Sequence, residues 1–286
     1  MATVVVAKRL SSLVRFEHTL FALPYAYVGA VLGADGWPGL ANLFWITVAM
    51  GGARSLAMAI NRLVDAGIDA RNPRTARREL PAGLLSRGQV YAFCAASLAL
   101  YAIAVSQLAP ICAWLSPIPV VSFVIYPYLK RFTALCHLFL GAVDGLAPVG
   151  GWVAVTGRVD WEAFLLGGIV CFWIAGFDII YATMDYEHDR AEGIHSIPVA
   201  LGLAGALTTC RIFHGIAIAL MVWVGVALHL GPVYYLGSAI CAALLVYENA
   251  IVKPTDLSRV NAAFFNVNAI LAGIYLAAVA GDVALS

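Results

Sequence analysis

Apolar and polar positions alternate along this chain on the scale of whole helices rather than single turns. Nine predominantly apolar runs follow one another at residues 16 to 34, 41 to 60, 89 to 108, 110 to 129, 135 to 156, 163 to 184, 203 to 229, 232 to 250 and 261 to 281, with polar connections between them. About 20 apolar residues in a helix cross the hydrocarbon core of a bilayer. The pattern therefore predicts an all-α integral membrane protein, a bundle of about nine transmembrane helices around a central cavity, with residues 1–286 forming a single transmembrane domain in the lipid bilayer. Pro24, Pro117, Pro119 and Pro148 fall inside predicted spans. A membrane helix tolerates proline where neighbours satisfy the freed backbone groups, which predicts kinked helices beside the cavity.

Composition agrees. Of 286 residues, 62% are hydrophobic and only 12% charged, and the mean hydropathy is +0.88, values that exclude an ordinary soluble domain. A net charge of +1 gives no reason to expect a nucleic-acid partner. Residues Met1 to Leu10 lack a small-residue cleavage site after a proper apolar core, so no removable signal peptide is expected. The cysteines at 94, 112, 136, 171, 210 and 241 lie in or beside apolar runs without a C-x-x-C pair. They read as small buried hydrophobes rather than disulfides or zinc ligands.

The basic residues give an orientation. With the N-terminus in the cytoplasm, all of the 17 lysines and arginines except Arg54 and Arg158 fall on the cytoplasmic side, as the positive-inside rule favours. Trp37, Trp152, Trp161 and the Tyr234-Tyr235 pair then flank outer loops, where an aromatic belt is expected. The two long cytoplasmic connections, 61 to 88 and 185 to 202, each follow an even-numbered span and each begin with acidic residues. Similar segments half a chain apart hint at an internal duplication.

Those acidic residues carry the candidate chemistry. Asn61, Asp65 and Asp69 stand at i, i+4 and i+8, so on a helix their oxygens form one row. A second row, Asp178, Tyr181, Asp185 and Asp189, follows at i, i+3, i+7 and i+11. Hard divalent ions such as Mg2+ take carboxylate oxygens and commonly complete their shell with substrate phosphates. Two acidic rows on one side of a membrane, with Arg62, Arg71, Arg74, Arg77 and Arg78 nearby, suggest a metal-bridged polyphosphate, and intramembrane acids are usually functional. Without a bound ion, the rows are expected to lack compensating charge. Lys130-Arg131 serves either as a positive-inside anchor or as a phosphate clamp. Arg54 lies seven residues before Asn61, deeper in the membrane. It either pairs with Asp144 or backbone carbonyls, or holds an anionic group of a ligand. Asp144 is correspondingly a structural partner or a cavity residue. The histidines lack paired metal-ligand spacing and read as packing residues.

Two other classes fit less well. A secondary transporter should cluster its charges at the bilayer midplane around broken helices, whereas these acids trail toward one face. A CDP-alcohol phosphotransferase should gather its acids into one motif rather than two rows over a hundred residues apart.

The motifs as they stand are N-x-x-x-D-x-x-x-D from Asn61, R-N-P-R-T-x-x-R-x-L-P-A-G from Arg71, Y-P-Y-L-K-R-F-T from Tyr126, D-x-x-Y-x-x-x-D-x-x-x-D from Asp178 and G-I-H-S-I-P from Gly193. In this order and spacing, nearly the whole chain resembles the UbiA superfamily of intramembrane aromatic prenyltransferases, and most of all its 4-hydroxybenzoate polyprenyltransferase branch. The resemblance implies an enzyme that binds a polyprenyl diphosphate (geranyl diphosphate or longer) through Mg2+ and attaches the prenyl chain to an aromatic ring for quinone biosynthesis. On that reading Asn61, Asp65, Asp69, Asp178, Asp185 and Asp189 are metal ligands. Arg71, Arg74, Arg78, Lys130 and Arg131 bind diphosphate, Arg54 binds the acceptor, and Asp65, Asp69, Asp178, Asp185 and Tyr181 are catalytic. Tyr126, Tyr128 and Phe177 are further aromatic candidates for stabilising an allylic cation. The chain departs from the common pattern at Arg62, Glu79 and His188-Asp189. Its opening stretch, Arg15 to Pro24, resembles a subgroup whose acceptor is 1,4-dihydroxy-6-naphthoate on a menaquinone route.

Overall fold

A computed structural model describes residues 2–13 and 19–286. Arg15 and the first residues of both the opening stretch and the first predicted span lie outside the described residues. The helices are α1 (Ala2–Leu13), α2 (Thr19–Gly33), α3 (Leu40–Arg71), α4 (Arg87–Val105), α5 (Pro110–Leu115), α6 (Pro117–Leu129) and α7 (Cys136–Thr156), followed by α8 (Trp161–Ala182), α9 (Tyr186–Ala191), α10 (Ile197–Ala227), α11 (Pro232–Ile251) and α12 (Asn268–Leu285). Among the described residues eight helical segments are long and apolar enough to cross a membrane, and the shorter apolar helix Leu23–Gly33 stands where the first span was expected.

Several boundaries differ from the sequence reading, each for a physical reason. The fourth span breaks at Ser116 into α5 and α6, with Pro110 and Pro117 each opening a helix, where a missing N–H costs nothing. The seventh span starts earlier than expected, because Ser196 caps Ile197–Ala227 by accepting from Val199 N; Gly202 interrupts that helix at φ 69°. Trp37 and Trp161 are exposed as a belt requires, but Trp152 and Tyr234 are buried. Trp152 Nε1 donates to Asp160 at 2.9 Å and the Tyr234 hydroxyl to the Met221 carbonyl at 2.7 Å. Trp152 thus turns inward while keeping a polar partner in the α7–α8 connection, and Tyr234 finds its partner inside the bundle.

Helix α7 organises the packing, lying between α2 and α8. Glycines on its two faces let neighbouring backbones approach closely. A Cβ on Gly151 would lie 2.0 Å from the Ala26 carbonyl oxygen of α2, and one on Gly141 only 2.1 Å from the Cys171 carbonyl oxygen of α8. Helices α10 and α11 cover the outer side of α8 and α12, burying Trp173, Met221, Tyr234 and Leu245. What remains open lies inside the arc from α2 to α8, closed by α12.

Candidate active site

The site begins with the length of α3. Its 32 residues extend about 48 Å at 1.5 Å per residue, against about 30 Å of hydrocarbon. Its last turns, which carry Asn61, Asp65 and Asp69, therefore emerge from the apolar layer, and the chain turns back over them through residues 72–86. That turn starts with Asn72, whose Oδ1 accepts from the Arg74 backbone N–H at 2.9 Å, the side-chain turn that Asn-Pro favours.

The folded-back segment and the α6–α7 connection supply counter-charges, and this overturns the expectation of uncompensated acids. Asp65 Oδ2 accepts from Lys130 Nζ at 2.7 Å and from Asn61 Nδ2 at 3.2 Å, and Arg131 Nη2 stands 3.7 Å from Oδ1. Arg78 Nη1 donates to both oxygens of Asp69, at 2.7 and 2.8 Å, and the buried Arg62 lies 4.0 Å from the same carboxylate. Arg74 grips Asp185 with Nε and Nη2 and donates to the Tyr181 hydroxyl at 2.8 Å through Nη1. Asn72 Nδ2 adds 2.9 Å to Asp185 Oδ1. Burial would lower the Arg74 pKa, but hydrogen bonding and the charge of Asp185, with the Tyr181 hydroxyl, raise it above the ordinary value, so Arg74 stays a cation. These partners come from residues up to 113 positions away, which local spacing cannot reveal.

The second acidic row is bent. Asp178 and Tyr181 lie on α8, a 3-10 turn covers Thr183–Asp185, and Asp189 follows on α9. The change of helical type rotates Asp185 toward Arg74. Asp189 makes no ion pair within 4 Å among the described residues. Asp178 faces His137, whose Nδ1 is 2.7 Å from Oδ2; the sequence reading had left His137 among the packing residues. Asn72 was missed as well, although the Asn-Pro pair was its available signal. Arg71 turns away from the other predicted diphosphate residues, with Nε 2.6 Å from Glu192 Oε2 and Nη1 3.0 Å from the Gly67 carbonyl.

Beneath the charged cluster lies a cavity of about 470 Å3, within the usual range for small-molecule sites. Asn61, Arg78, Asp178 and Tyr181 line its charged end, and Leu108 and Phe164 its apolar reach. Arg54 lies on the wall between them, Nη1 donating to Asp144 Oδ1 at 3.4 Å, and its buried Nε has no hydrogen-bond partner among the described residues. A phosphorylated head can be neutralised at one end while a hydrocarbon tail occupies the rest.

A hard cation suits the charged end in part. Among the described residues no three His, Cys, Asp or Glu side chains stand close enough to cage an ion. Yet Asp65 Oδ1 is buried without a hydrogen bond among the described residues, one turn of α3 from Asn61 and one from Asp69. Few carboxylates plus substrate phosphates is the way Mg2+ is commonly held, so the donor set fits.

Helices wrapped around an apolar chamber with one charged end define a membrane-embedded protein built to hold a ligand with an ionic head and an apolar tail. The profile of the UbiA prenyltransferase family matches residues 22–270, and the chain belongs to that family. It is 30% identical over 255 residues to a 4-hydroxybenzoate octaprenyltransferase of Aromatoleum aromaticum, covering 88% of this chain and 86% of the relative. The fold superposes on the apo structure of a UbiA homologue from Aeropyrum pernix with a TM-score of 0.85 and 36% identity, over 93% of this chain and 98% of that one. A UbiA homologue from Archaeoglobus fulgidus, solved with GPP and Mg2+, shares the fold at a TM-score of 0.73 and 20% identity, over 95% and 99% of the chains.

Proposed function

We propose that this chain transfers a polyprenyl group from a polyprenyl diphosphate to the ring of an aromatic acid, 4-hydroxybenzoate foremost, in quinone biosynthesis, with its site opening to the cytoplasm. The observation that carries the reading is the cavity itself: carboxylates and cations close one end, and Arg54, with Asp144 beside it, stands about 10 Å deeper at 1.5 Å per residue on a mostly apolar wall. The name of the Aromatoleum relative points to the same acceptor.

Asn61, Asp65 and Asp69 on one side, with Asp178, Asp185 and Asp189 on the other, would hold Mg2+. Bound there, the ion supplies positive charge to the diphosphate oxygens. The protein's own part begins with Arg78, Lys130 and Arg74, which release their carboxylates and neutralise the diphosphate as the allylic C–O bond breaks and its electron pair leaves with the diphosphate. Tyr181, fixed by Arg74, presents an aromatic face to the electron-poor allylic carbon. Arg54 holds the acceptor's carboxylate by a charge-assisted bond, setting the phenol ring toward that carbon. The ring carbon supplies the electron pair of the new C–C bond, and its proton leaves to a carboxylate of the charged end that is not holding the ion. Apolar walls keep water from the cation.

The test is turnover by the purified protein in vesicles with Mg2+, a polyprenyl diphosphate and, separately, labelled 4-hydroxybenzoate and 1,4-dihydroxy-6-naphthoate. A ring-prenylated 4-hydroxybenzoate is expected. Product from the naphthoate alone would reassign the acceptor, and no product from either would refute the reading.

A further inference from the structure

The last span does not begin as an α-helix. Ala262–Val267 form a π-helical turn ahead of α12, a local widening often found at functional sites. Asn268 closes it. Its Nδ2 donates to the carbonyl oxygens of Ala263 (3.2 Å) and Phe264 (3.1 Å) and to Glu248 Oε1 (3.0 Å), and its Oδ1 accepts from Trp173 Nε1 at 2.6 Å. The turn is thus tied to both α8 and α11 by side chains that are buried, Glu248 and Trp173 completely. A carboxyl group in so dry a place is costly, and Glu248 Oε2 has no hydrogen-bond partner among the described residues. Stability alone gives little reason to keep it.

What the turn presents is Phe264. Its ring lies 4.3 Å from that of Tyr181, tilted by 34°, and 5.2 Å from Phe177, edge-on. All three rings line the cavity beside Asp178, and Tyr181 is fixed from its far end by Arg74. An aromatic wall therefore stands at the charged end of the cavity, where a departing diphosphate leaves its carbon electron-poor, and ring faces attract such charge.

We propose that Phe264 is a further catalytic residue whose ring faces the allylic carbon, and that Asn268, Glu248 and Trp173 are positioning residues that hold the π turn presenting it. This rests on the prenyl-transfer reading above. Phe264 forms and breaks no bond: the C–O pair leaves with the diphosphate, the acceptor ring supplies the C–C pair, and the ring proton departs as already described.

The test compares Phe264→Leu, a series of mono- to trifluorinated phenylalanines at 264, Asn268→Ala and Glu248→Gln with the parent in the vesicle assay. Phe264→Leu is expected to lower kcat about tenfold, equivalent to about 1.4 kcal/mol of barrier, with the donor KM changed less than about twofold. More of the donor should then end as prenyl alcohol by capture of water. Fluorination should lower kcat in steps, which a merely steric role would not produce. Asn268→Ala should reproduce Phe264→Leu, and Glu248→Gln, which replaces one carboxylate oxygen beside Asn268 with an amide donor, should lower kcat in the same direction by a smaller factor. A parent-like kcat and product ratio in Phe264→Leu, or a flat fluorine series, would overturn the proposal. If Asn268→Ala does not fold, the phenylalanine series still decides. Absence of transfer by the parent sinks the prenyl-transfer reading itself, while parent-like transfer by Phe264→Leu sinks only the role of Phe264.

Discussion

Arg54 and Asp144 offer a prediction whose two halves have opposite signs. The pair is 3.4 Å apart, with both side chains about a fifth exposed, and one guanidinium nitrogen is left without a partner. At an effective dielectric near 20, two charges at that distance attract by about 5 kcal/mol before desolvation and screening are charged against them. If Arg54 exists to hold the acceptor's carboxylate, Asp144 competes with the substrate for it. Arg54→Ala removes a charge-assisted bond worth about 1.5–3 kcal/mol, so the KM for 4-hydroxybenzoate should rise about 10- to 100-fold. The donor KM should move less than about twofold. Asp144→Asn removes the competitor, so the acid's KM should fall about threefold or more. Added acid should then raise the melting temperature of Asp144→Asn more than that of the parent, because the ligand relieves an uncompensated cation. Steady-state kinetics at saturating donor and a thermal-shift titration measure both. The reasoning is refuted if Asp144→Asn raises the acid's KM as Arg54→Ala does, or if Arg54→Ala binds acid normally and only melts lower.

Three further outcomes follow from the same geometry. Asp65→Asn and Asp185→Asn should each lower turnover by about a hundredfold or more while the protein still inserts and purifies folded; activity within a few-fold of the parent would move the metal site elsewhere. Lys130→Ala frees Asp65 and should raise the donor KM about tenfold with the acid's KM unchanged, whereas equal effects on both substrates would favour a simple membrane anchor. Gly151→Ala should destabilise by about 1–3 kcal/mol through overpacking, since its Cβ would meet the Ala26 carbonyl oxygen, while Gly150→Ala, with nothing within 4 Å, should melt no lower than the parent.

The apolar runs foretold the helices well because length and hydropathy are local properties of a membrane span. The 3.6-residue periodicity likewise placed Asn61, Asp65 and Asp69 on one row, since α3 runs unbroken through them. What the spacing could not carry was anything set by tertiary contact. The break of the second row at Thr183–Asp185 brings Asp185 to Arg74 and Asn72, and those partners lie over a hundred residues away. The same holds for Lys130 on Asp65 and His137 on Asp178. The inward turn of Trp152 depended on Asp160 across the α7–α8 connection, and the π turn before α12 on Asn268 reaching Glu248 and Trp173. Arg54 with Asp144 was legible as one of two options, because a buried guanidinium needs some partner but the sequence does not say whether the cavity reaches it.

In the proposed cycle the carboxylates now held by Lys130, Arg74 and Arg78 exchange those cations for Mg2+ brought with the diphosphate. The most direct measurement is single-turnover formation of ring-prenylated 4-hydroxybenzoate by chelator-washed protein in vesicles, with Mg2+ then titrated back. No product in chelator and recovery of the full product yield with added Mg2+ is the predicted result. Undiminished product in excess chelator, from a preparation shown to be free of divalent ions, would contradict it.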